Sequence, residues 1–306
     1  MSFLLSYHAN GKLLLTGEYL VLHGAKAIAL PLKVGQKLTV TEGIQSDFMV
    51  WQASYNEQAW FSCELDREDF SVKSTSHPEK AQTLVNIFST IKNLNPEFAP
   101  KAGTKFATSL DANPDWGFGS SSTLISLLSQ WSGVDPFTLN ERIFKGSGFD
   151  IACATADGPI FYTKGKPVQP ITLDYPFAGQ LFLVYSGRKK KTFSEVNMFL
   201  KEKKVFSPLI DEVSALADEF SVCCDQHEFN RLIRKHEQLV GALIGKTPIK
   251  PEYFADFEGE IKSMGAWGGD FYLVSANLSF SEVKKYFGDK GLDTIFRWNE
   301  QILKRQ

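Results

Sequence analysis

The stretch Asp115–Leu124, DWGFGSSSTL, constrains this chain more than any other. Two glycines and three serines stand directly before Leu124, Ile125, Leu127, Leu128 and Trp131, whose spacing predicts an amphipathic helix. Gly117 and Gly119 let the backbone approach a ligand with no Cβ in the way. The hydroxyls of Ser120, Ser121 and Ser122 add donors, or ligands for a cation. The first amides of a helix have no intrahelical partner and carry partial positive charge, so the segment reads either as an anion cradle or as an ordinary N-cap.

The remaining composition narrows the setting. The 306 residues are 43% apolar and 22% charged, which predicts a globular protein of two domains' length. A formal net charge of −2 argues against a nucleic-acid surface. No apolar run reaches the length of a membrane span, and MSFLLSYHANGK lacks the basic start of a secretory signal, so no membrane partner is expected. Cys63, Cys153, Cys223 and Cys224 show no CxxC spacing, which predicts a reduced, cytoplasmic protein. The five histidines form no metal-ligand motif, so no metal site made of protein ligands alone is expected.

Along the chain, KLLLTGEYLVL, QKLTVTE, FMVWQAS, AWFSCEL and TKFATSL read as strands, and EKAQTLVNIFSTIKNL as a helix. PIFYTKG and QLFLVYSG return to strand character. SPLIDEVSALADEF and HEFNRLIRKHEQLVGALIG are amphipathic, and SEVKKYF predicts a short helix between the strands FYLVSA and TIFRWN. The fold class is α+β. The Pro- and Gly-punctuated stretch from Gly165 to Gly179 reads either as a plain loop or as the domain boundary, the latter giving domains 1–172 and 173–306. Walker A and Rossmann fingerprints are both missing.

Three further glycine-rich segments accompany the first: NGKLLLTGEYLVLHGAKAIALP, ERIFKGSGFDIACA and IKSMGAWGGDFYLVSA. In this order they resemble the GHMP kinase superfamily, from Gly11 to about Ala276. NGKLLLTGEYLVLHG is similar to the PGKxxLxGEhxVxxG strand motif, GFGSSS to the GLGSSA phosphate loop, SGFD to the SGxD helix start, and GAWGGD to the GAGGGG loop. GEYLVL, GSGFDIA and the aspartate of GGD look closest to phosphomevalonate kinases; mevalonate kinases typically carry histidine where this chain has Tyr19.

The resemblance implies a two-domain GHMP kinase fold: an N-terminal mixed α/β domain with the phosphate loop, and a C-terminal ferredoxin-like domain completing the acceptor site. It implies ATP and Mg²⁺ as cofactors and a small acidic alcohol or phosphate as substrate, phosphomevalonate first, mevalonate second. Gly117, Gly119, Ser120, Ser121 and Ser122 become the nucleotide cradle, and Ser121 and Glu141 the Mg²⁺ ligands. Asp150 becomes the catalytic carboxylate, where a helix cap is the plainer alternative. Lys12 becomes the cation beside the transferring phosphoryl group, where a snorkelling lysine is the alternative. Glu18 and Tyr19 would shape the acceptor pocket together with Gly265, Ala266 and Gly268. The basic run YSGRKKKTF is a solvated loop or, by the same resemblance, places Arg188, Lys190, Lys191 and Thr192 on the acceptor. Trp267 replaces a glycine of the family's loop, which leaves open whether the indole narrows the site. That departure motivates the competing expectation of a catalytically silent, ligand-binding relative.

Overall fold

Gly17 has φ +89° and Tyr19 φ +64°, and two left-handed residues so close together cannot continue a strand. The computed structural model, which describes residues 4–101, 103–187 and 207–305, accordingly ends the first strand, β1, at Leu4–Leu14. The expected strand through Glu18–Leu22 is instead a turn and a 3₁₀ helix, Leu20–His23. The next strand, β2, is longer than expected, Ala27–Thr41.

Two compact units emerge. The first comprises Met1–Gly11, Val34–Pro114 and Phe118–Thr155. Its strands include most of β1, which pairs with β2, and the second half of β2, β3 (Met49–Tyr55), β4 (Gln58–Leu65), β5 (Val72–Thr75) and β6 (Lys105–Leu110), the last five in the order β5-β4-β3-β6-β2. Strands β3 and β6 are parallel, and the other neighbours in this run are antiparallel. Four helices belong to this unit: α1 (Pro78–Leu94), α2 (Ser120–Ser132), α3 (Pro136–Ile143) and α4 (Phe149–Ala154). The apolar face of α1, with Leu84, Ile87, Phe88 and Ile91, is buried as its helical period predicts. Trp51 stacks on Phe106 at 5.5 Å, and Trp131 of α2 meets Phe106 edge-on at 4.8 Å, which ties α2 to the sheet through aromatic contacts.

The second unit comprises Lys12–Lys33, Asp115–Gly117 and Ala156–Gln306. The stretch 165–179 lies within it. Strand β7 (Ile160–Tyr162) pairs with the start of β2 and with β8 (Gln169–Pro170). The rest runs β9 (Leu181–Tyr185), α5 (Ser207–Val222), α6 (Gln226–Ile244), α7 (Ile249–Tyr253), β10 (Glu260–Met264), β11 (Phe271–Ser275), α8 (Phe280–Gly288), β12 (Ile295–Arg297) and α9 (Trp298–Gln301). The four strands β9 to β12 form an antiparallel sheet in the order β10-β11-β9-β12. Counting only those strands, the order is 2-3-1-4 with helices after the first and third, which is the ferredoxin-like arrangement. Asp225 caps α6 by accepting the Glu228 N–H at 2.8 Å, and Ser279 with Glu282 forms a capping box on α8.

Candidate active site

The N-cap of α2 is Gly119, at φ +93°, and no side chain caps that helix end. The N-cap alternative for Ser120 and Ser121 is thereby removed, since both lie inside the first turn. Ser122 is buried and donates its hydroxyl to the Gly119 carbonyl at 2.8 Å; Thr123 donates to Gln36 Oε1 at 2.7 Å. These two hydroxyls therefore face the protein. Ser120 is half-buried and Ser121 exposed. The leading amides of a 13-residue helix are thus left without a side-chain acceptor, beside two accessible hydroxyls.

Ser120 and Ser121 border a cavity of about 230 Å³ in the first unit. Trp51, Trp60, Phe61 and Phe144 supply aromatic walls, and Lys80 and Thr108 polar ones. The Lys80 ammonium lies 5.1 Å from the centre of the Trp60 ring. Two polar atoms of this lining, Thr108 Oγ1 and Trp60 Nε1, are buried with no hydrogen-bond partner. An unsatisfied buried donor is costly, so such atoms mark where a ligand can be recognised. Sequence reading missed these residues. The available signal was two tryptophans nine residues apart, on strands joined by a hairpin whose turn residues, Asn56 and Glu57, have φ of 47° and 62°.

Helices α2, α3 and α4 pack on one another, bringing Ser121, Glu141 and Asp150 onto adjoining elements of the same unit. Glu141 is exposed on α3. Asp150 is half-buried in the first turn of α4, and its Oδ1 accepts the Ile151 N–H at 3.1 Å. The N-cap of α4 is Gly148, so Asp150 is not the cap itself.

The second unit holds the other expected residues. Half-buried Lys12 donates its ammonium to the Gly117 carbonyl at 3.0 Å. Gly117, at φ +69°, is backed by the carboxylate of Asp270 from the GGD sequence. Tyr185 donates its hydroxyl to the Asp115 carbonyl at 3.2 Å, and burial, then Asp270 and Asp115, pushes the pKa of that hydroxyl up. Arg188, Lys190, Lys191 and Thr192 lie outside the described residues.

Glu18 faces inward. Its carboxylate bonds the ammonium of Lys262, which has no exposure at all, and lies 3.1 Å from His236 Nε2. Burial alone would raise the Glu18 pKa; Lys262 and His236 outweigh it and hold the group below its ordinary value. Burial, then Lys262, holds the His236 pKa below its ordinary value against the pull of Glu18, and its Nε2 accepts the Gly17 N–H at 3.2 Å. Neighbouring Glu237 accepts the N–H groups of Ile249 and Ser263 at 3.2 and 3.0 Å. Any part Glu18 has in an acceptor pocket passes through the elements it holds together, not through direct contact. Tyr19 is likewise buried. Gly265 and Gly268 are half-buried and Ala266 buried, on the loop between β10 and β11. Trp267 is 6% exposed, with its indole in the core of the second unit against Gly241 of α6.

No family profile matches the sequence, and no curated protein matches it. Solved structures do match. Mevalonate kinase of Methanococcus jannaschii is 19% identical, with a TM-score of 0.71, covering 100% of this chain and 99% of its own. Phosphomevalonate kinase of Streptococcus pneumoniae, in complex with phosphomevalonate and AMPPNP, is 15% identical, with a TM-score of 0.68, covering 96% and 99%. Galactokinase of Lactococcus lactis, complexed with galactose, is 10% identical, with a TM-score of 0.64, covering 99% and 94%.

Proposed function

We propose that this chain, which has the GHMP kinase fold, is an ATP-dependent kinase transferring the γ-phosphoryl group to a small acidic acceptor of the mevalonate pathway, phosphomevalonate in the first place. The observation that carries the reading is the aromatic cavity bordered by the uncapped start of α2. A purine base fits between such rings, where Thr108 and Trp60 offer it two buried polar atoms without partners. The amides of α2 and the hydroxyls of Ser120 and Ser121 suit a triphosphate. Ser121 and Glu141 are oxygen ligands of the hard type Mg²⁺ takes, and the ion would neutralise phosphate charge there.

The chain's own residues then divide the work. Asp150 orients the acceptor and takes a proton if the acceptor is an alcohol. A phosphate acceptor, whose second ionisation lies near pH 6, is already largely ionised at neutral pH, and Asp150 then mainly positions it. Lys12, tied to the Gly117 carbonyl, supplies positive charge at the phosphate loop. Arg188, Lys190, Lys191 and Thr192 are proposed acceptor contacts on sequence grounds, and a cytoplasmic location on the cysteine spacing. The matched folds carry different acceptors, so the choice of phosphomevalonate over mevalonate rests on GEYLVL, GSGFDIA and GGD.

The competing silent relative drew its support from Trp267, whose indole is packed in the core of its unit. ADP release measured in parallel with mevalonate and with phosphomevalonate tests the reading. Turnover on phosphomevalonate is expected. Nucleotide binding with no turnover on either, or on homoserine or sugars, sinks the kinase and favours the silent relative.

A further inference from the structure

Two residues of the glycine-rich motif segments, Tyr19 and Trp267, touch each other. The hydroxyl of Tyr19 accepts the backbone N–H of Trp267 at 2.9 Å, in the interior of the second unit. A phenol places its oxygen farther from Cα than an imidazole nitrogen reaches, so the histidine common at this position in mevalonate kinases would fall short. Tyr19 holds a left-handed backbone, φ +64° and ψ −45°, which an aromatic residue adopts only under constraint. The constraint comes from both sides: Glu18 is pinned by Lys262, the Gly17 N–H is held by His236 Nε2 at 3.2 Å, and the Val21 N–H returns to the Gly17 carbonyl at 2.8 Å.

The Trp267 ring is fixed just as firmly. A Cβ on Gly241 would lie 3.3 Å from its Cη2 and 2.7 Å from the Lys246 carbonyl oxygen, so glycine at 241 is what lets the indole come this close to α6. The ring stays there although its Nε1 is buried without a partner. One residue further, the Gly268 N–H reaches Ser263 Oγ at 2.8 Å, and the Ser263 N–H is held by Glu237. Gly265 and Gly268 both have positive φ, so without these ties residues 265–269 would sample many conformations.

We propose that Tyr19 and Trp267 form a latch holding the glycine-rich loop 265–269 in one pose, with Tyr19 a positioning residue and the indole the loop's anchor. The consequence for the acceptor rests on the kinase reading above; the latch itself does not. Tyr19 never needs to touch substrate in this arrangement. It fixes the loop that does.

The test is amide hydrogen exchange at Trp267 and Gly268, read beside acceptor kinetics. Y19F keeps the ring and removes the acceptor oxygen. Exchange at Trp267 should quicken about tenfold and the acceptor KM rise about two- to tenfold, the span of one net hydrogen bond, with kcat and nucleotide affinity held. W267F keeps a ring and drops the unpartnered N–H, so loop protection should survive; W267G should lose it. Unchanged exchange in Y19F overturns the latch, and quickened exchange with an unchanged acceptor KM overturns the positioning role. A wild-type protein that turns over no acceptor, yet loses Trp267 protection in Y19F, sinks the kinase reading and leaves the latch standing.

Discussion

The carboxylate of Asp270 lies so close to Gly117 that a Cβ there would sit 2.0 Å from Oδ2 and 2.2 Å from Cγ. The first glycine of GFGSSS is therefore required twice, by its φ of +69° and by this contact. G117A should destabilise by about 1–3 kcal/mol, as a strained left-handed alanine does, and force the Asp270 side chain to rotate away. A double-mutant cycle with D270A separates the two causes. If D270A recovers part of the G117A loss in stability, the steric share is real; strict additivity leaves backbone strain as the sole reason for glycine.

Asp150 should behave as a group needed in the transition state and dispensable for folding. D150A is expected to lower kcat by about 10²–10⁴, the usual range for a positioned acid or base, while melting temperature and ATP affinity stay near wild type. If D150A unfolds the protein, the carboxylate was serving α4 through Ile151, and its catalytic assignment fails.

The pair Glu18–Lys262 is buried on both sides, with exposures of 4% and 0%. Desolvating two charges offsets most of their attraction, so the pair as a whole contributes little net stability. Removing one partner strands the other. K262M and E18M should each cost about 3–5 kcal/mol in chemical denaturation, whereas E18M/K262M together should recover much of that loss. Equal, additive losses would mean that the two side chains pack independently.

Glu237 gives the same cluster a pH dependence. Burial pushes its pKa up first and Glu18 adds to the rise; Lys262 and the N–H groups of Ile249 and Ser263 pull back, leaving it at about 7. The folded state thus binds this proton more tightly than the unfolded chain. The stabilisation is complete below the ordinary carboxylate value near 4.5 and is lost as pH rises through about 7. A shift of this size corresponds to about 3 kcal/mol. His236, whose pKa burial and Lys262 lower, works in the opposite sense: its share is full above its ordinary value of 6.5 and lost as pH falls. E237Q removes only the first term. Its stability deficit relative to wild type should therefore shrink between pH 5 and pH 8, and a deficit independent of pH would refute the assignment.

Several of these relationships could be read from the sequence and others could not, for physical reasons. Helix α2 and its glycine entry were visible because helical period and left-handed glycines are local signals. The turn at Gly17–Tyr19 was misread as strand, because LLLTGEYLVL has strand composition, whereas the ties of Glu18 to Lys262, of the Gly17 N–H to His236 and of the Trp267 N–H to Tyr19 are tertiary. Lys262 shows the same limit. A lysine in the sequence IKSMG reads as solvated, and its complete burial depends on Glu18, which lies 244 residues earlier. Trp267 raised the right question, but the answer lay in Gly241, which looks like an ordinary small residue on an amphipathic helix.

Thr108 offers the cleanest separation of stability from ligand recognition. Its hydroxyl is buried in the cavity wall with no partner, although Ser54 donates to its backbone carbonyl at 3.2 Å. T108V keeps the branched shape and discards an unsatisfied polar atom, so the ligand-free protein should be as stable as wild type or more stable by about 1 kcal/mol. If the hydroxyl reads a purine edge, the same change should weaken ATP about five- to tenfold, the worth of one hydrogen bond, and leave tripolyphosphate binding at α2 untouched. Calorimetry with ATP and tripolyphosphate on the two proteins decides between the outcomes. Equal ATP affinities would mean that the base lies elsewhere and that the cavity is a packing defect beside the loop.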